Sequence, residues 1–304
     1  MKSPLQTDHA TTLKGMIYMT LAMLVIPGLD VFAKLLAQDM SSGQITWFRF
    51  VVQTALITPI VIVLKLYHFE RGTILLQAMR GILLAGATVF FFAALVKLSI
   101  AQAIAIFFVE PLILTIFSAL FLGEVIRARR ITAVIIGFIG ALIIIRPSFA
   151  AVGVVALYPL VAAVCFALYM MITRQLKSVH PFQMQWMVGV SATIFMSVLL
   201  LLGDQSGWNA LEMSRPQGLA IWWVFGLGLV ATIGHTILVL ALRHAPASLL
   251  APFQYLEIIS ATIFGYLVFG DELDLTTIFG VLIIIGSALY VFRREALQKN
   301  LIEG

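Results

Sequence analysis

Charge is scarce in this sequence. Only 11% of its 304 residues are Asp, Glu, Lys or Arg, whereas 62% are hydrophobic and the mean hydropathy is +1.07. A soluble globular domain carries about 25% charged residues, so the composition excludes that class and predicts a polytopic membrane protein. Cysteine is scarcer still: Cys165 is the only one, which excludes an intramolecular disulfide.

The motifs of common enzyme classes are absent too. The sequence has no Gly-x-x-x-x-Gly-Lys-Ser/Thr loop, no His-Glu-x-x-His, no Gly-x-Ser-x-Gly and no Cys/His cluster with metal-ligand spacing. We therefore expect neither an enzyme nor a bound metal or cofactor. The acids Asp271, Glu272 and Asp274 are interpreted as a solvated turn. A membrane-embedded transferase is the alternative, although it needs reactive polar residues clustered at one interface.

Ten apolar stretches are long enough to cross a hydrocarbon core of about 30 Å as α-helices. The sequence thus predicts an all-α integral membrane protein. Its longest connections, 67–78 and 204–218, are expected to be loops or short interfacial helices. The ten predicted spans lie near residues 14–37, 43–66, 79–97, 101–121, 129–146, 153–173, 183–202, 219–241, 247–269 and 275–292.

Lys and Arg are distributed unevenly between these connections. The 19 basic residues outnumber the 14 acidic ones, but their scatter over short loops argues against a nucleic-acid partner and for a role as topology signals. With the N-terminus inside, fourteen of them, including Arg80, fall on one side and three on the other. We therefore predict a multi-pass protein of the cell inner membrane with cytoplasmic tails at 1–13 and 295–304.

Residues 107–124, FFVEPLILTIFSALFLGE, have a counterpart 147 positions later in QYLEIISATIFGYLVFGD. At that offset Glu110 matches Glu257 and Gly123 matches Gly270. The chain therefore divides into two five-span repeats, 14–147 and 151–294. Because each repeat has an odd number of spans, the second repeat must have the opposite orientation in the membrane. The charges support this orientation, since arginines follow Gly123 and acids follow Gly270. Inverted repeats are typical of secondary transporters.

The two matched acids lie deep in their spans. Glu110 and Glu257 are about nine or ten residues from one end, which at about 1.5 Å per residue is near the bilayer midplane. Ionisable groups at that depth are costly and usually functional, so we predict that they bind substrate or carry a coupling proton. The alternative is neutral structural acids bonded to neighbouring helices. His235, also mid-span, is open between a structural and a site role.

Asp30, Lys34 and Arg49 form a second candidate set. Asp30 and Lys34 are four residues apart on one helix face, where an ion pair forms readily. Asp30 follows Pro27-Gly28, which can free backbone groups in a helix. Arg49 has the donors to pair with Asp30 or with a substrate carboxylate or phosphate. We predict that these three residues form a gate or binding site, the alternative for Lys34 being snorkelling to the interface.

Aromatic and amide side chains directly precede both acids. These are Phe107, Phe108, Gln254 and Tyr255, and residues 90–92 add three phenylalanines. We predict a stacking wall for a planar cargo, since an aromatic face also attracts cations. Ordinary helix packing is the alternative.

The pattern resembles the EamA branch of the drug/metabolite transporter superfamily. Each half has a helix ending in Phe-Leu-Gly-Glu (121–124) or Phe-Gly-Asp-Glu (269–272), followed by a glycine-bearing helix. The resemblance covers residues 14–294. It implies ten spans in two inverted repeats and transport of a small organic metabolite. The branch includes exporters of amino acids and importers of vitamins or S-adenosylmethionine.

Two details refine this resemblance. Residues 27–34 and 44–49 resemble members proposed to move riboflavin or S-adenosylmethionine. The family often has proline at the second-half counterpart of Pro111, where this chain has Ile258, with Pro252 earlier in the helix. We therefore expect the break in the ninth span to be displaced toward its cytoplasmic end.

The sequence thus predicts a carrier that works by alternating access, driven by the substrate gradient or by protons. Its expected partners are a small-molecule substrate and the lipid bilayer, and it is expected to act as a monomer or homodimer. A proton-coupled exporter of amino acids or toxic compounds is the alternative within transport. A channel would differ in showing flux without saturation.

Overall fold

The computed structural model describes residues 9–98, 100–124, 128–145, 153–203 and 209–270, with scattered residues between 275 and 290. Within these ranges the chain is helical, with short connections and no strand. The helices are α1 (His9–Val25), α2 (Pro27–Leu36), α3 (Ser42–Val63), α4 (Arg71–Leu95), α5 (Ile100–Phe107), α6 (Glu110–Leu122), α7 (Ala128–Ile145), α8 (Leu157–Gln175), α9 (Pro181–Gly203), α10 (Ala220–His244), α11 (Ala247–Gln254) and α12 (Glu257–Phe264).

The predicted all-α membrane fold is confirmed. Seven helical segments in the described ranges are long and apolar enough to cross a membrane, and two shorter apolar helices, Glu110–Leu122 and Ile131–Gly140, accompany them. The predicted tenth span, 275–292, lies largely outside the described residues. The seven segments are Thr11–Leu36, Ser42–Val63, Gly72–Leu95, Gly153–Gln175, Pro181–Gly203, Ala220–His244 and Ala247–Phe269.

The connections predicted from the sequence need one correction. Helix α4 already begins at Arg71, so most of residues 67–78 is helical. Arg80 is therefore inside a helix and 0% exposed, and its interpretation as a topology charge in a loop is wrong. In the other long connection, a short 3₁₀ helix occupies Asn209–Leu211, and residues 204–208 lie outside the described part.

Two predicted spans are broken at equivalent positions. Helices α5 and α6 are separated by residues 108–109, and α11 and α12 by residues 255–256, again 147 apart. In the first, Pro111 has no N–H for the carbonyl four residues earlier. In the second, Ile258 N donates to Tyr255 O at 3.2 Å, three residues back. The expected displacement of the second break is therefore wrong, because such a 3₁₀-type bond ends the helix there without proline.

Glycines in the left-handed conformation follow both broken helices. Gly123 has φ +63° and Gly270 has φ +70°, a conformation that favours glycine because a Cβ is strained there. Gly123 directly follows α6, whereas a π-helix, Gly265–Phe269, separates α12 from Gly270.

The two broken helices cross each other. Helix α11 packs on α6 and α12 packs on α5, which is the contact pattern of an antiparallel pair. At the crossing the rings of Phe108 and Tyr255 meet edge to face with centroids 5.1 Å apart, and the Tyr255 hydroxyl donates to Phe108 O at 3.4 Å. Gly137 of α7 makes room for this ring, since a Cβ there would lie 2.3 Å from Tyr255 Cδ2.

Polar contacts join the chain's two halves at both ends of the bundle. At one end Glu124 caps α11: its carboxylate accepts from Ala247 N at 3.2 Å, from Ser248 N at 3.1 Å and from Ser248 Oγ at 2.8 Å. At the other end Ser214 N donates to Gln44 Oε1 at 2.9 Å. A carboxylate at a helix N-terminus is favourable because it meets free N–H groups and the positive end of the helix dipole.

Candidate functional site

A cavity lies among the broken helices and their neighbours. Its polar lining comprises two carboxylates, one guanidinium, one imidazole and one hydroxyl, and four phenylalanines form much of the remaining wall. The lining residues are Met23, Ile26, Leu29, Asp30, Arg49, Leu84, Ala87, Thr88, Phe91, Phe92, Phe107, Phe166, His235 and Glu257.

Arg49 is fixed in the cavity wall by neighbouring side chains. Its Nη1 donates to the Thr88 hydroxyl, its Nη2 lies 3.0 Å from His235 Nε2, and the guanidinium lies 4.8 Å from the centre of the Phe50 ring. Arginine can only donate, so His235 Nε2 accepts. The ring's Nδ1 then carries the hydrogen and donates to Ala231 O at 3.1 Å. Arg49 is thereby held by neutral groups and keeps its charge available to a ligand.

The two cavity carboxylates are positioned by helix breaks. Asp30 follows the Pro27 break in the first turn of α2, and Glu257 is the first residue of α12. Pro27 cannot donate to the carbonyl of Met23, four residues earlier, and that carbonyl accepts from Ser260 Oγ at 3.0 Å instead. The helix break at Pro27 therefore frees a carbonyl of α1 that binds α12, the helix that carries Glu257.

The guanidinium and the two carboxyl groups of the cavity remain separate. No ion pair within 4.0 Å joins Arg49 to Asp30 or to Glu257 in the described part of the chain. All three side chains are at most 9% exposed, and charges in such surroundings interact strongly because little water screens them. The cavity therefore offers an anion-binding and a cation-binding side to one ligand.

Glu110 is in a different setting from its counterpart. It is 0% exposed and does not line the cavity. The Gln254 side chain lies beside its carboxyl group and is its hydrogen-bonding neighbour. Of the aromatic residues predicted beside the acids, Phe107 lines the cavity, whereas Phe108 and Tyr255 pack against each other.

Lys34 does not join the other two residues of its predicted set, Asp30 and Arg49. Its ammonium lies 4.6 Å from the centre of the Phe269 ring, and the predicted pair with Asp30 is not formed within the described ranges. Asp30 and Arg49 do share the cavity. The structure thus brings together two of the three residues.

Sequence reasoning missed Thr88 and Phe166 and left His235 open. A signal was available, because Thr88 and His235 are 147 positions apart, the offset of the repeat, and both contact Arg49. Phe166 carries no such signal. Among residues 90–92, Phe91 and Phe92 line the cavity, whereas Phe90 is 38% exposed.

The arrangement suits binding better than metal chemistry. No group of three or more His, Cys, Asp or Glu side chains that could hold a metal occurs in the described residues. Carboxylates and aromatic faces attract organic cations, and a guanidinium pairs with carboxylate or phosphate. The cavity can therefore hold an organic molecule that carries both signs of charge.

Several transporters are similar to this chain over most of its length. An S-adenosylmethionine uptake transporter of Rickettsia felis is 26% identical over 285 residues, 94% of each chain. A riboflavin transporter of Brucella anthropi is 28% identical over 262 residues, covering 83% of this chain and 88% of its own. The pseudopaline exporter CntI of Pseudomonas aeruginosa is 26% identical over 284 residues, covering 92% and 96%.

The fold has a counterpart among solved structures. One crystal structure matches with a TM-score of 0.74 at 17% identity, covering 94% of this chain and 98% of the other. A family model described as the EamA-like transporter family matches residues 13–146 and 153–293. These two segments make up most of the sequence, and the chain therefore belongs to the EamA-like transporter family.

Proposed function

We propose that this transporter carries a zwitterionic metabolite of the S-adenosylmethionine type across the cytoplasmic membrane. The observation that carries the proposal is that Arg49, Asp30 and Glu257 share one cavity with four phenylalanines. In the proposed complex Arg49 binds the cargo carboxylate, the two acids bind its ammonium and sulfonium groups, and a phenylalanine stacks on its purine.

Charge distinguishes this cargo from riboflavin. Riboflavin is uncharged at neutral pH, so it would leave the buried guanidinium of Arg49 without an ionic partner and the two carboxyl groups without a cation, which costs free energy. S-adenosylmethionine supplies one carboxylate and two cationic groups for one guanidinium and two carboxylates. The relatives named for S-adenosylmethionine uptake support the same choice.

The proposed mechanism is alternating access by two inverted five-span repeats, 14–147 and 151–294. It is supported by the shared offset of 147 between the two breaks, acids and left-handed glycines, and by the antiparallel crossing of the broken helices. In the proposed cycle the Glu124 cap and the Gln44–Ser214 contacts open in turn, exposing the cavity first to one side and then to the other.

Glu110 is the proposed carrier of a coupling proton. Glu110 is buried and does not line the cavity, so it can accept a proton without competing with cargo. In this proposal Glu257 binds the cargo and Glu110 takes up and releases the coupling proton. Each of the two matched acids thus has one of the two predicted roles.

Export of an amino-acid-like metabolite is the second candidate. The same cavity would bind another zwitterion, and the pseudopaline exporter is as similar to this chain as the S-adenosylmethionine transporter. Membership of a transporter family supports a non-enzymatic role in either case.

Binding to purified protein in lipid nanodiscs tests the cargo. S-adenosylmethionine is expected to raise the melting temperature most, since a ligand that binds only the folded state stabilises it. S-adenosylhomocysteine, which lacks the sulfonium charge, should follow, and 5′-methylthioadenosine, which lacks the amino-acid end, should bind weakest. Stabilisation by riboflavin but not by S-adenosylmethionine would overturn the proposal. Counterflow in vesicles of either orientation then separates uptake from export.

Labelling tests the inverted topology. After Cys165→Ala, which removes the chain's only cysteine, single cysteines are introduced at Gly123 or Gly270 and probed with a membrane-impermeant thiol reagent. The proposal requires labelling from opposite faces of the membrane, and cysteines in both tails at 1–13 and 295–304 should react from the cytoplasmic face. Labelling of both glycine positions from one face would contradict it.

A further inference from the structure

Arg80 carries a charge that the cavity does not use. It is fully buried on α4, with its guanidinium 5.0 Å from the centre of the Tyr169 ring. Nε donates to Thr173 Oγ1 at 2.8 Å and Nη1 to Met184 O at 3.4 Å, while Nη2 has no hydrogen-bond partner. No ion pair to a carboxylate occurs in the described ranges. A buried cation held only by neutral groups is costly unless another species supplies the missing charge.

A second buried polar group lies beside Arg80. Tyr169 is 0% exposed, and its hydroxyl has no hydrogen-bond partner of good geometry within the described part. Buried polar groups are nearly always hydrogen-bonded, so this cluster indicates a polar species that binds here. Arg80 Nη2 and Tyr169 Oη can both donate, a pair that suits an oxyanion.

This cluster continues the wall of the cavity. Leu84 and Thr88 of α4 line the cavity, and Arg80 precedes Leu84 by four residues, which puts it on the same helix face one turn further along. On α8, Phe166 lines the cavity, and its ring centroid is 5.6 Å from that of Tyr169. Tyr169 therefore lies between the cavity and Arg80.

The same face of α4 leads on to the start of that helix. Gln77 is 0% exposed, its Oε1 has no partner in the described part, and its Nε2 donates to Thr73 Oγ1 at 3.1 Å. Thr73, Gln77 and Arg80 thus form a polar stripe from the first turn of α4 toward the cavity. Thr173 and Met184 lie near the adjacent ends of α8 and α9, so this stripe of the first half faces the second half of the chain.

We propose that Arg80 and Tyr169 form a second oxyanion subsite, which takes the cargo's carboxylate as it moves between the cavity and the membrane face where α4 begins. The inference rests on the proposed function for the identity of the cargo. The subsite itself rests on the donors that are buried beside Tyr169. Passage then moves the carboxylate from one arginine, Arg49, to the other.

Two cargoes that differ only in the carboxylate test the subsite. S-adenosylmethionine and its decarboxylated analogue are compared in proteoliposomes with Arg80→Met, Arg80→Lys and Thr173→Val. Arg80→Met should slow counterflow of S-adenosylmethionine about 10–100-fold, the range for a lost charge-assisted contact. Counterflow of the analogue and the equilibrium affinity for S-adenosylmethionine should change less than about threefold.

The two other variants separate binding from packing. Arg80→Lys keeps a point charge without the guanidinium fork, so it should slow S-adenosylmethionine by an intermediate factor and spare the analogue, even if the Met variant does not fold. Thr173→Val removes one neutral partner and should leave both rates nearly unchanged. Equal slowing of both cargoes by either Arg80 variant, or the same defect in Thr173→Val, would overturn the subsite.

Inorganic phosphate separates failure of the subsite from failure of the cargo proposal. If the wild-type protein does not bind S-adenosylmethionine, the proposed cargo is wrong, and phosphate becomes the probe in thermal melts. Phosphate should stabilise Arg49→Met but not the double variant Arg49→Met/Arg80→Met, because only the double variant lacks the cation of the subsite. Stabilisation that is absent from Arg49→Met, or unchanged in the double variant, would overturn the subsite.

Discussion

The two broken helices are similar in backbone conformation but differ in their surroundings. Both break at the same position of the repeat, both begin their second part with a glutamate, and both are followed by a left-handed glycine. Nevertheless Glu257 lines the cavity, whereas Glu110 is buried beside Gln254 and away from it. Matched residues in a repeat therefore share a local conformation without sharing a role.

The difference comes from the helices that pack against each acid. Helix α12, which carries Glu257, packs on α1 and α2, the two parts of a span broken at Pro27. Helix α6, which carries Glu110, packs on α8, which is continuous from Leu157 to Gln175. A broken span leaves space and free backbone groups that a continuous helix does not. The Pro27 break thus lies beside the acid that meets the cavity.

Replacing each glutamate by glutamine tests most directly whether Glu257 and Glu110 have different roles. Glu257→Gln should lower the affinity for S-adenosylmethionine about 10–100-fold, because a hydrogen bond to a charged group contributes about 1.5–3 kcal/mol. Glu110→Gln should change that affinity less than about threefold but should abolish the stimulation of transport by a proton gradient. Equilibrium binding and flux with and without an imposed gradient measure the two effects.

The isosteric amides also serve as each other's controls. Both remove one charge and preserve side-chain volume, so a general loss of folding would affect both variants in thermal melts. Equal losses of affinity in both would mean that both acids bind cargo, and the asymmetry seen between them would have no functional meaning.

Packing at the crossing of the broken helices gives the next largest effect. A Cβ at Gly137 would lie 2.3 Å from Tyr255 Cδ2, so Gly137→Ala should destabilise the protein by about 1–3 kcal/mol, the range for overpacking a core. Gly86→Ala in α4 is the control, because its Cβ would lie 3.7 Å from Cys165 Sγ, an ordinary contact. A similar melting temperature for both variants would show that Tyr255 moves aside without cost.

The sequence predicted more of the fold than of the site. Hydropathy located the apolar spans to within a few residues in most cases, since a bilayer fixes both their length and their composition. The 147-residue offset matched Glu110 with Glu257, but it could not reveal that only Glu257 meets the cavity, because that depends on the neighbouring span. Arg80 was misassigned for a similar reason: a basic residue near a predicted helix end looks like a topology signal until its burial is known.

Substitution of the left-handed glycines tests a feature that the two broken helices share, the positive φ at Gly123 and Gly270. Gly123→Ala and Gly270→Ala should each cost about 1–2 kcal/mol, since both positions have positive φ and an L-residue is strained there. The two costs should be equal, because a Cβ at either site would meet no atom within 4 Å. Gly72→Ala, in equally open space without positive φ, is the control in thermal melts. Clearly unequal costs would mean that the two helix ends are not equivalent.

A pair of buried serines gives the smallest effect and tests the tie that positions Glu257. Ser260 Oγ donates to Met23 O at 3.0 Å, whereas Ser118 Oγ on α6 has no partner in the described part of the chain. Ser260→Ala should cost about 0.5–1.5 kcal/mol in the free energy of unfolding, since it leaves a buried carbonyl without its donor, and Ser118→Ala should be neutral or slightly stabilising. Ser260→Ala should also weaken binding of S-adenosylmethionine, because α12 is then less firmly held against α1. If binding is unchanged while stability falls, the bond to Met23 supports the fold but does not position Glu257.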